Sequence, residues 1–430
     1  MRVKLRKIDF PLFSYLTPYD DQMPAYWGVL RNRKAQLLLI SSFPARLAYS
    51  MIALGTYFKV QHTTHSISAA GLAVGLEGLA SAVTAGARGS IMDRWGMKWP
   101  LRIFVPAYGT LILVFNHGHS KTQLILLAFT LGFTAPPINL SVRPMWKITV
   151  TPDQIRTAYA IDSSTMNSVG VFGPVIVTAL ALSAHPERAL QLCAFLMYLG
   201  GGMLASLPAT RSWKPEVKQK GELPIWQVPG LRVLMLEGVF IGLGWGAFQI
   251  GVPAFTTVEN LSERTGTILA IMALASVIGG LLAGLLSRKT SSLKAFKSIY
   301  LAWFIISLPL AFSYPDWRLM ILGALLGLAG GAIQVFYWEI IEAIRPRGSA
   351  VAALGWLWTV EGTFGAVGNT IGGYISDHYS PRWCLAATTI ATACGLIIIT
   401  IGKSRLTAAD RIPTVEGDTA AIGDLVSPED

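Results

Sequence analysis

The stretch Gly89-Ser90-Ile91-Met92-Asp93-Arg94-Trp95-Gly96-Met97-Lys98 joins the end of one apolar run, 68–91, to the start of another, 101–116. The first of these runs is long enough to cross the ~30 Å hydrocarbon layer as a helix. Gly89 allows a second helix to approach closely at the end of that span. Asp93 puts a carboxylate at the membrane edge, where it can accept N–H groups from the start of a neighbouring helix, whose dipole favours negative charge. Gly96 permits a tight turn, and Arg94 and Lys98 place cations beside the acid. A contact of this kind can form in one conformation and break in another, which makes it a gate. A plain turn with bases is the simpler reading, but residue order and the position after an apolar run favour the gate.

Outward from this hairpin, apolar runs recur at 36–58, 68–91, 101–116, 122–145, 157–183, 189–208, 231–254, 265–286, 298–313, 318–343, 350–375 and 383–402. The third and ninth are short by these limits and extend into their flanks. Composition agrees with twelve spans: 52% of the 430 residues are apolar and 14% are charged, against about a quarter charged in soluble domains. Lipid is the solvent such a surface requires, and an uncleaved first span serves as the insertion signal. Cys193, Cys384 and Cys394 fall in apolar runs without zinc or disulfide spacing, so they read as small hydrophobes and no metal site is expected.

The net charge of +11 raises nucleic acid as a partner, but its distribution points elsewhere. With both termini cytoplasmic, 28 of the 35 Lys and Arg residues fall on the inner side, six fall one to each outer loop, and Arg46 lies within a span. That asymmetry is the positive-inside pattern of a multi-pass protein of the cell (inner or plasma) membrane. The bases face anionic lipid heads, and the nucleic-acid reading falls away.

The longest inner connection, 211–230, carries Lys214, Lys218, Lys220, Pro215, Pro224 and Pro229 and divides the spans six and six. We read a cytoplasmic N-terminal segment over 1–35, six-helix bundles over 36–210 and 231–402 joined by that linker, and a disordered acidic cytoplasmic tail over 403–430. Shifting the chain by 195 residues aligns Gly71 with Gly266, Leu79-Ala80-Ser81 with Leu274-Ala275-Ser276 and Gly89 with Gly284, which supports two parallel halves.

With Gly89, Asp93, Arg94, Gly96 and Lys98 in place, the hairpin resembles the signature loop of the major facilitator superfamily, Gly-x-x-x-Asp-Arg-x-Gly-x-Lys/Arg. Met97 stands where a base is common, and the shifted copy keeps Gly284, Arg288 and Lys289 but has no acid. Ala45-Arg46-Leu47, Gly173-Pro174, Pro253-Ala254-Phe255, Pro346-Arg347-Gly348 and Gly355-Trp356 extend the likeness toward bacterial, including actinobacterial, drug-efflux-type permeases. The resemblance implies an all-α membrane protein of twelve transmembrane helices in two pseudo-symmetric six-helix bundles, with rocker-switch alternating access. It also implies proton-coupled efflux of small amphipathic compounds by a monomer that needs a proton gradient and no bound cofactor. Three departures bear on antiport. Ala128 stands where the antiporter pattern has arginine before Gly132, the Gly170, Gly173, Pro174 pattern lacks its Gly-Gly, and Met166-Asn167 occupy a place where related permeases carry an acid.

Ionisable residues inside a bilayer are costly and need a reason. Arg46, beside Pro44, either binds an anionic substrate group or pairs with an embedded acid. Glu77 and Glu361, midway along spans two and eleven, either titrate as proton carriers or form fixed hydrogen bonds. Asp162 and Glu237, further substrate or proton candidates, lie nearer the cytoplasmic side, with Trp245 and Gln249 further along span seven as candidate substrate contacts. Arg143 closes span four and pairs with Asp93 or Asp162. Glu339 and Glu342, near Arg345 and Arg347, read as a solvated cluster at the membrane edge. Trp338, Trp356 and Trp358 suit packing, an interface belt or stacking on an aromatic substrate. Pro136-Pro137 and Gly173-Pro174 are expected to kink their helices, and Gly71/Gly75 and Gly368/Gly372 to sit at close helix crossings. Nucleophile-elbow, zincin and P-loop patterns are absent, which argues against a membrane-embedded enzyme. A facilitator or importer of a small metabolite, and a non-transporting receptor with the same fold, stay open as alternatives.

The topology has a direct check. With Cys193, Cys384 and Cys394 replaced by serine, Arg94→Cys should react with an impermeant maleimide only after the cytoplasmic face is exposed; labelling of intact cells would reverse the whole orientation.

Overall fold

A computed structural model describes residues 26–215, 223–261, 264–286 and 291–409. The 1–25 segment, Lys218 and Lys220 of the linker, Arg288 and Lys289 of the second hairpin, and the tail from 410 lie outside the described residues. Among the described residues, twelve helices are long and apolar enough to cross a membrane. We number them by span: α1 Arg33–Thr64, α2 Ile67–Trp95, α3 Lys98–Asn116, α4a Lys121–Thr134 with α4b Ile138–Lys147, α5 Ile155–Ala181 and α6 Glu187–Ser206. The second half comprises α7 Pro229–Val258, α8 Arg264–Gly284, α9 Ser292–Ser307, α10 Trp317–Ile344, α11 Ala350–His378 and α12 Pro381–Ile401. Span nine gains its missing length from a 3-10 turn over Leu310–Phe312.

Local sequence sets the helix ends. Asn32, Ser66, Ser120, Ser291, Asp316 and Ser380 each accept a first-turn backbone N–H, satisfying one of the donors a helix start leaves unpaired. Pro136 and Pro137 break span four outright into α4a and α4b. Backbone bonds are remade around the break: Ala135 N donates to Gly132 O, Ile138 N to Pro136 O and Ser141 N to Pro137 O, and Tyr49 Oη and Ser141 Oγ add side-chain donors to the two proline carbonyls. Inside a bilayer a backbone break needs this kind of internal repair. By contrast, α5 runs unbroken through Pro174.

Within each half, glycines let backbones meet. Gly200 of α6 lies against Pro44 and Ala45 of α1, and Gly132 of α4a against the Glu77 carbonyl of α2. Gly242 and Gly246 of α7 lie against α11, while Gly279 of α8 and Gly327 and Gly331 of α10 bring those two helices together. Gly368 and Gly372 serve the α7 crossing as expected, but Gly71 and Gly75 face open space. Four-residue spacing alone does not say which side of a helix meets a neighbour. Large apolar side chains such as Phe172, Val175, Ile278 and Ile390 stay exposed on the outside of the bundle, as lipid contact allows.

Between the halves, α2 packs on α11 and α5 on α8, two contacts that the 195-residue shift exchanges. Gly86 faces the Trp356 ring, and Gly355 lies on the Ala85 carbonyl. Gly86 N donates to Thr359 Oγ1 at 3.0 Å, and in the related contact Ser164 Oγ donates to Val277 O at 3.0 Å. Residues on the pseudo-twofold axis meet their own counterparts: Lys147 pairs with Glu342, 195 positions away, and the Arg143 guanidinium lies 3.3 Å from the ring centroid of Trp338, likewise 195 positions on. Tyr26, ahead of α1, reaches across to donate to Leu281 O of α8 at 2.5 Å. The tail reading needs correction for its first residues. Gly402–Ala409 forms a 3-10 helix that buries Leu406, so an ordered turn occupies 403–409, anchored by one apolar side chain.

This packing predicts a cross-link. In a cysteine-free background, Lys147→Cys with Glu342→Cys should be joined by a short bis-methanethiosulfonate reagent, which spans the length of the two replaced side chains, and hold the halves together after cleavage at a protease site placed near residue 218. Halves that separate on a non-reducing gel would contradict the contact.

Candidate functional site

Asp93 sits at the end of α2, and the close Gly89 and Gly86 crossings bring it against the start of α11. A side chain at Gly89 would meet the Val351 carbonyl and Ala352 Cα, so no larger residue fits without separating the helices. The buried Asp93 carboxylate accepts from Val351 N with both oxygens at 3.0 Å and from Ala352 N at 2.6 Å. Ser349, at the N-cap position of α11, makes no side-chain cap. The cap comes from the other half of the molecule, where anion and helix dipole attract. Gly96 takes φ +77°, the left-handed turn that ends α2 and that side chains resist. Arg94 is exposed, and Lys98 lies over the Trp99 ring at 5.3 Å.

A layer of ion pairs flanks this contact. Arg156 of α5, fully buried, donates to both oxygens of Glu339 on α10 at 2.7 and 2.9 Å, and Ser292 Oγ donates to the same carboxylate at 2.5 Å. Glu342 is held by Lys147 of α4b and by Arg345 at 2.6 Å. The solvated-cluster reading of Glu339 and Glu342 is therefore corrected: both acids join the halves. Sequence reasoning took their partners, Arg156 and Lys147, as ordinary inner-side bases. The 195-residue repeat did hold the signal for Lys147, since it superposes that base on an acid.

Further into the bundle, Arg46 Nη2 of α1 lies 2.7 Å from Asp162 Oδ1 of α5, with side chains 1% and 0% exposed. Arg143 Nε approaches Asp162 Oδ2 at 3.8 Å, and Arg143 Nη2 lies 3.5 Å from Met166 Sδ. Of the two partners considered for Arg143, geometry places Asp162 beside it and Trp338 above it. The Arg46–Asp162 contact is close yet poorly aligned. None of the Arg46 guanidinium nitrogens, nor either Asp162 oxygen, makes a hydrogen bond. We therefore describe it as an ion pair held by charge.

The remaining candidates separate by half. Glu77 is buried beside Thr56 of α1, inside the first bundle. Glu361 is part-exposed on α11 with its Cβ near Gly238 of α7, within electrostatic reach of Arg143, Glu237 and Tyr337. Although α2 and α11 are neighbours, these two acids are turned to different partners. Glu237 is buried on α7 and accepts from Tyr300 Oη of α9 at 2.9 Å. Trp245 and Gln249 are exposed one turn apart, with Trp245 stacked on Phe248. Gly173 lies on Ser50 of α1. Among the described residues, no group of His, Cys, Asp and Glu is placed to hold a metal.

The family model described as Major Facilitator Superfamily matches residues 38–356. A bacterial homologue of the iron transporter ferroportin, crystallised in its outward-facing state with soaked iron, is similar in structure. The TM-score is 0.71 at 12% identity, covering 86% of this chain and 99% of that one. The human organic anion transporter MFSD10 (TETRAN) is similar with a TM-score of 0.64 at 13% identity, covering 89% of this chain and all (100%) of that one. A comparison with curated proteins returns no match.

Loss of the Asp93 charge should weaken the clasp. A charged hydrogen bond contributes ~1.5–3 kcal/mol, so Asp93→Asn should shift the balance between clasped and parted halves by about tenfold or more. Double electron–electron resonance between spin labels at Arg94 and Lys403 should show a longer distance population in the mutant; an unchanged distribution would remove Asp93 from this role.

Proposed function

The chain belongs to the major facilitator superfamily, and on that premise we propose that it is a secondary transporter working by alternating access, exporting small amphipathic compounds in exchange for protons. One observation carries this reading: a carboxylate of one half caps a helix of the other, at one end of a bundle whose interior holds ionisable groups. The cap can be released without breaking either half, because each bundle keeps its own glycine-mediated packing. A twelve-helix permease clasped at one end is in one of the two states that alternating access needs. With the 89–98 hairpin on the cytoplasmic side, as the distribution of bases supports, the clasped state opens outward and both termini lie inside the cell membrane.

Glu361 is the acid best placed to carry a proton. It is part-exposed, lies on the helix whose start Asp93 holds, and shares an electrostatic neighbourhood with Arg143 of the other half. Protonating it removes an attraction between halves, and so links proton arrival to parting. Glu237 is tied to Tyr300 and Glu77 is enclosed within one bundle, so both are weaker candidates. Export rather than import is supported by the likeness of the signature loop and the Gly173-Pro174 and Gly355-Trp356 pieces to drug-efflux-type permeases. Uncoupled facilitation is a second reading with an observation of its own, since Ala128, which stands in place of the antiporter arginine, is buried in the apolar core. The similar structures are named for iron and for organic anions, so the shared fold leaves the cargo open.

Counterflow in proteoliposomes with and without a pH gradient separates the two readings. Antiport predicts that an uncoupler abolishes accumulation. It also predicts that Glu361→Gln retains exchange while losing its pH dependence. Accumulation indifferent to uncoupler would leave facilitation, and an unshifted pH profile in Glu361→Gln would exclude that residue as the carrier.

A further inference from the structure

We propose that the Arg46–Asp162–Arg143 cluster is an anion receptor, and that the cargo carries a carboxylate or sulfonate head that takes Arg143 in place of Asp162. The inference rests on the transport reading only for the word cargo. Binding is a separate property and is tested separately.

Charge balance is the first argument. Two guanidinium groups, both carried by the first half, share a single buried carboxylate. A buried positive surplus calls for a second anion. Glu361 attracts Arg143 from the other half but forms no ion pair with it, and Glu342 is already neutralised by Lys147 and Arg345.

Unused donors are the second. Arg46 Nε, Nη1 and Nη2 and Arg143 Nε have no hydrogen-bond partner in the protein, although Arg46 is among its most buried side chains. Guanidinium presents a planar fork of donors that matches a carboxylate or sulfonate bidentately. Asp162 meets the Arg46 fork at close range without aligning to it, and Arg143 only at 3.8 Å. A mobile anion can adopt the alignment that a side chain anchored on α5 does not.

Access is the third. Arg143 is 11% exposed and lines a small cavity between the halves together with Tyr159, Trp338, Glu342, Ala350 and Leu354. Ala350 adjoins the backbone that Asp93 holds, so the cavity lies between the gate and the cluster. Parting the halves at that end exposes Arg143 first, with Arg46 behind it. Trp338 covers the Arg143 guanidinium, and Tyr159 meets Trp338 edge-on at 6.2 Å, giving an aromatic wall for an apolar body. A cation would meet the surplus positive charge and be repelled.

Three probes of one shape test this: 2-naphthoate, 2-naphthylmethanol and 2-naphthylmethylammonium, titrated by calorimetry into the full-length protein in nanodiscs. The naphthoate should bind at least tenfold more tightly than the other two, and Arg143→Gln should remove that preference while Arg143→Lys restores part of it. Asp162→Asn should bind naphthoate several-fold more tightly, because its internal competitor is gone, whereas a purely structural ion pair predicts weaker or unchanged binding. Equal affinity for the three probes, or weaker anion binding in a folded Asp162→Asn, would overturn the proposal. Should that variant not fold, wild-type selectivity and the two Arg143 variants decide. Flux of all three probes without preference would sink this inference and spare transport. Anion binding without any flux would do the reverse.

Discussion

A carboxylate on one half of this molecule does the work of an N-cap on a helix of the other half. The start of α11 lacks a side-chain cap of its own, and Asp93 supplies the negative charge that its N–H groups and dipole favour. The arrangement demands that α2 and α11 lie nearly backbone to backbone, which is why Gly86, Gly89 and Gly355 occur where they do. It also demands that Asp93 point sideways at the end of a span, which the left-handed turn at Gly96 permits. Interactions of this kind are strong enough to hold a state and local enough to be released.

The surrounding ion pairs follow from the same constraint. Once the halves meet at one end, any base or acid there is partly withdrawn from water and must find a partner or leave. Arg156 with Glu339, and Lys147 with Glu342, meet this requirement across the interface. Both pairs run from the first half to α10 and flank the Asp93 cap, so all of these contacts hold the same end of the interface. Arg46 and Asp162 differ, because both belong to one half. Arg143 stands between these groups: it approaches Asp162 in its own half and stacks on Trp338 in the other. It is the member of the buried cluster that touches both halves.

The repeat gives this layout its economy. Two halves related by a pseudo-twofold axis bring axial residues against their own counterparts, so Arg143 meets Trp338 and Lys147 meets Glu342. Identical residues at such positions would place like charges or like rings together. The halves differ at these positions, and each of the two contacts is an attractive pair. The Asp93 hairpin has diverged similarly: the acid that caps a helix in one half has no counterpart in the other copy.

By itself, the sequence determined the number of helices, the place where Pro136-Pro137 disturb span four (though as a kink, where the structure has a break), the division into six and six, and the hairpin that carries Asp93. Those features depend on hydrophobic length, proline chemistry and the spacing of residues near one another in the chain, all of which are local. It also named Arg46, Asp162, Arg143 and Glu361, because charge inside an apolar run is visible without coordinates. What it left undecided was which of these meet. The pairing of Arg46 with Asp162, the turning of Glu77 and Glu361 toward different partners, the conversion of Glu339 and Glu342 from surface acids into interface pairs, and the open surroundings of Gly71 and Gly75 were settled only by tertiary structure. Helix rotation and crossing angle fix those contacts, and both arise from packing among different spans, to which no local pattern responds.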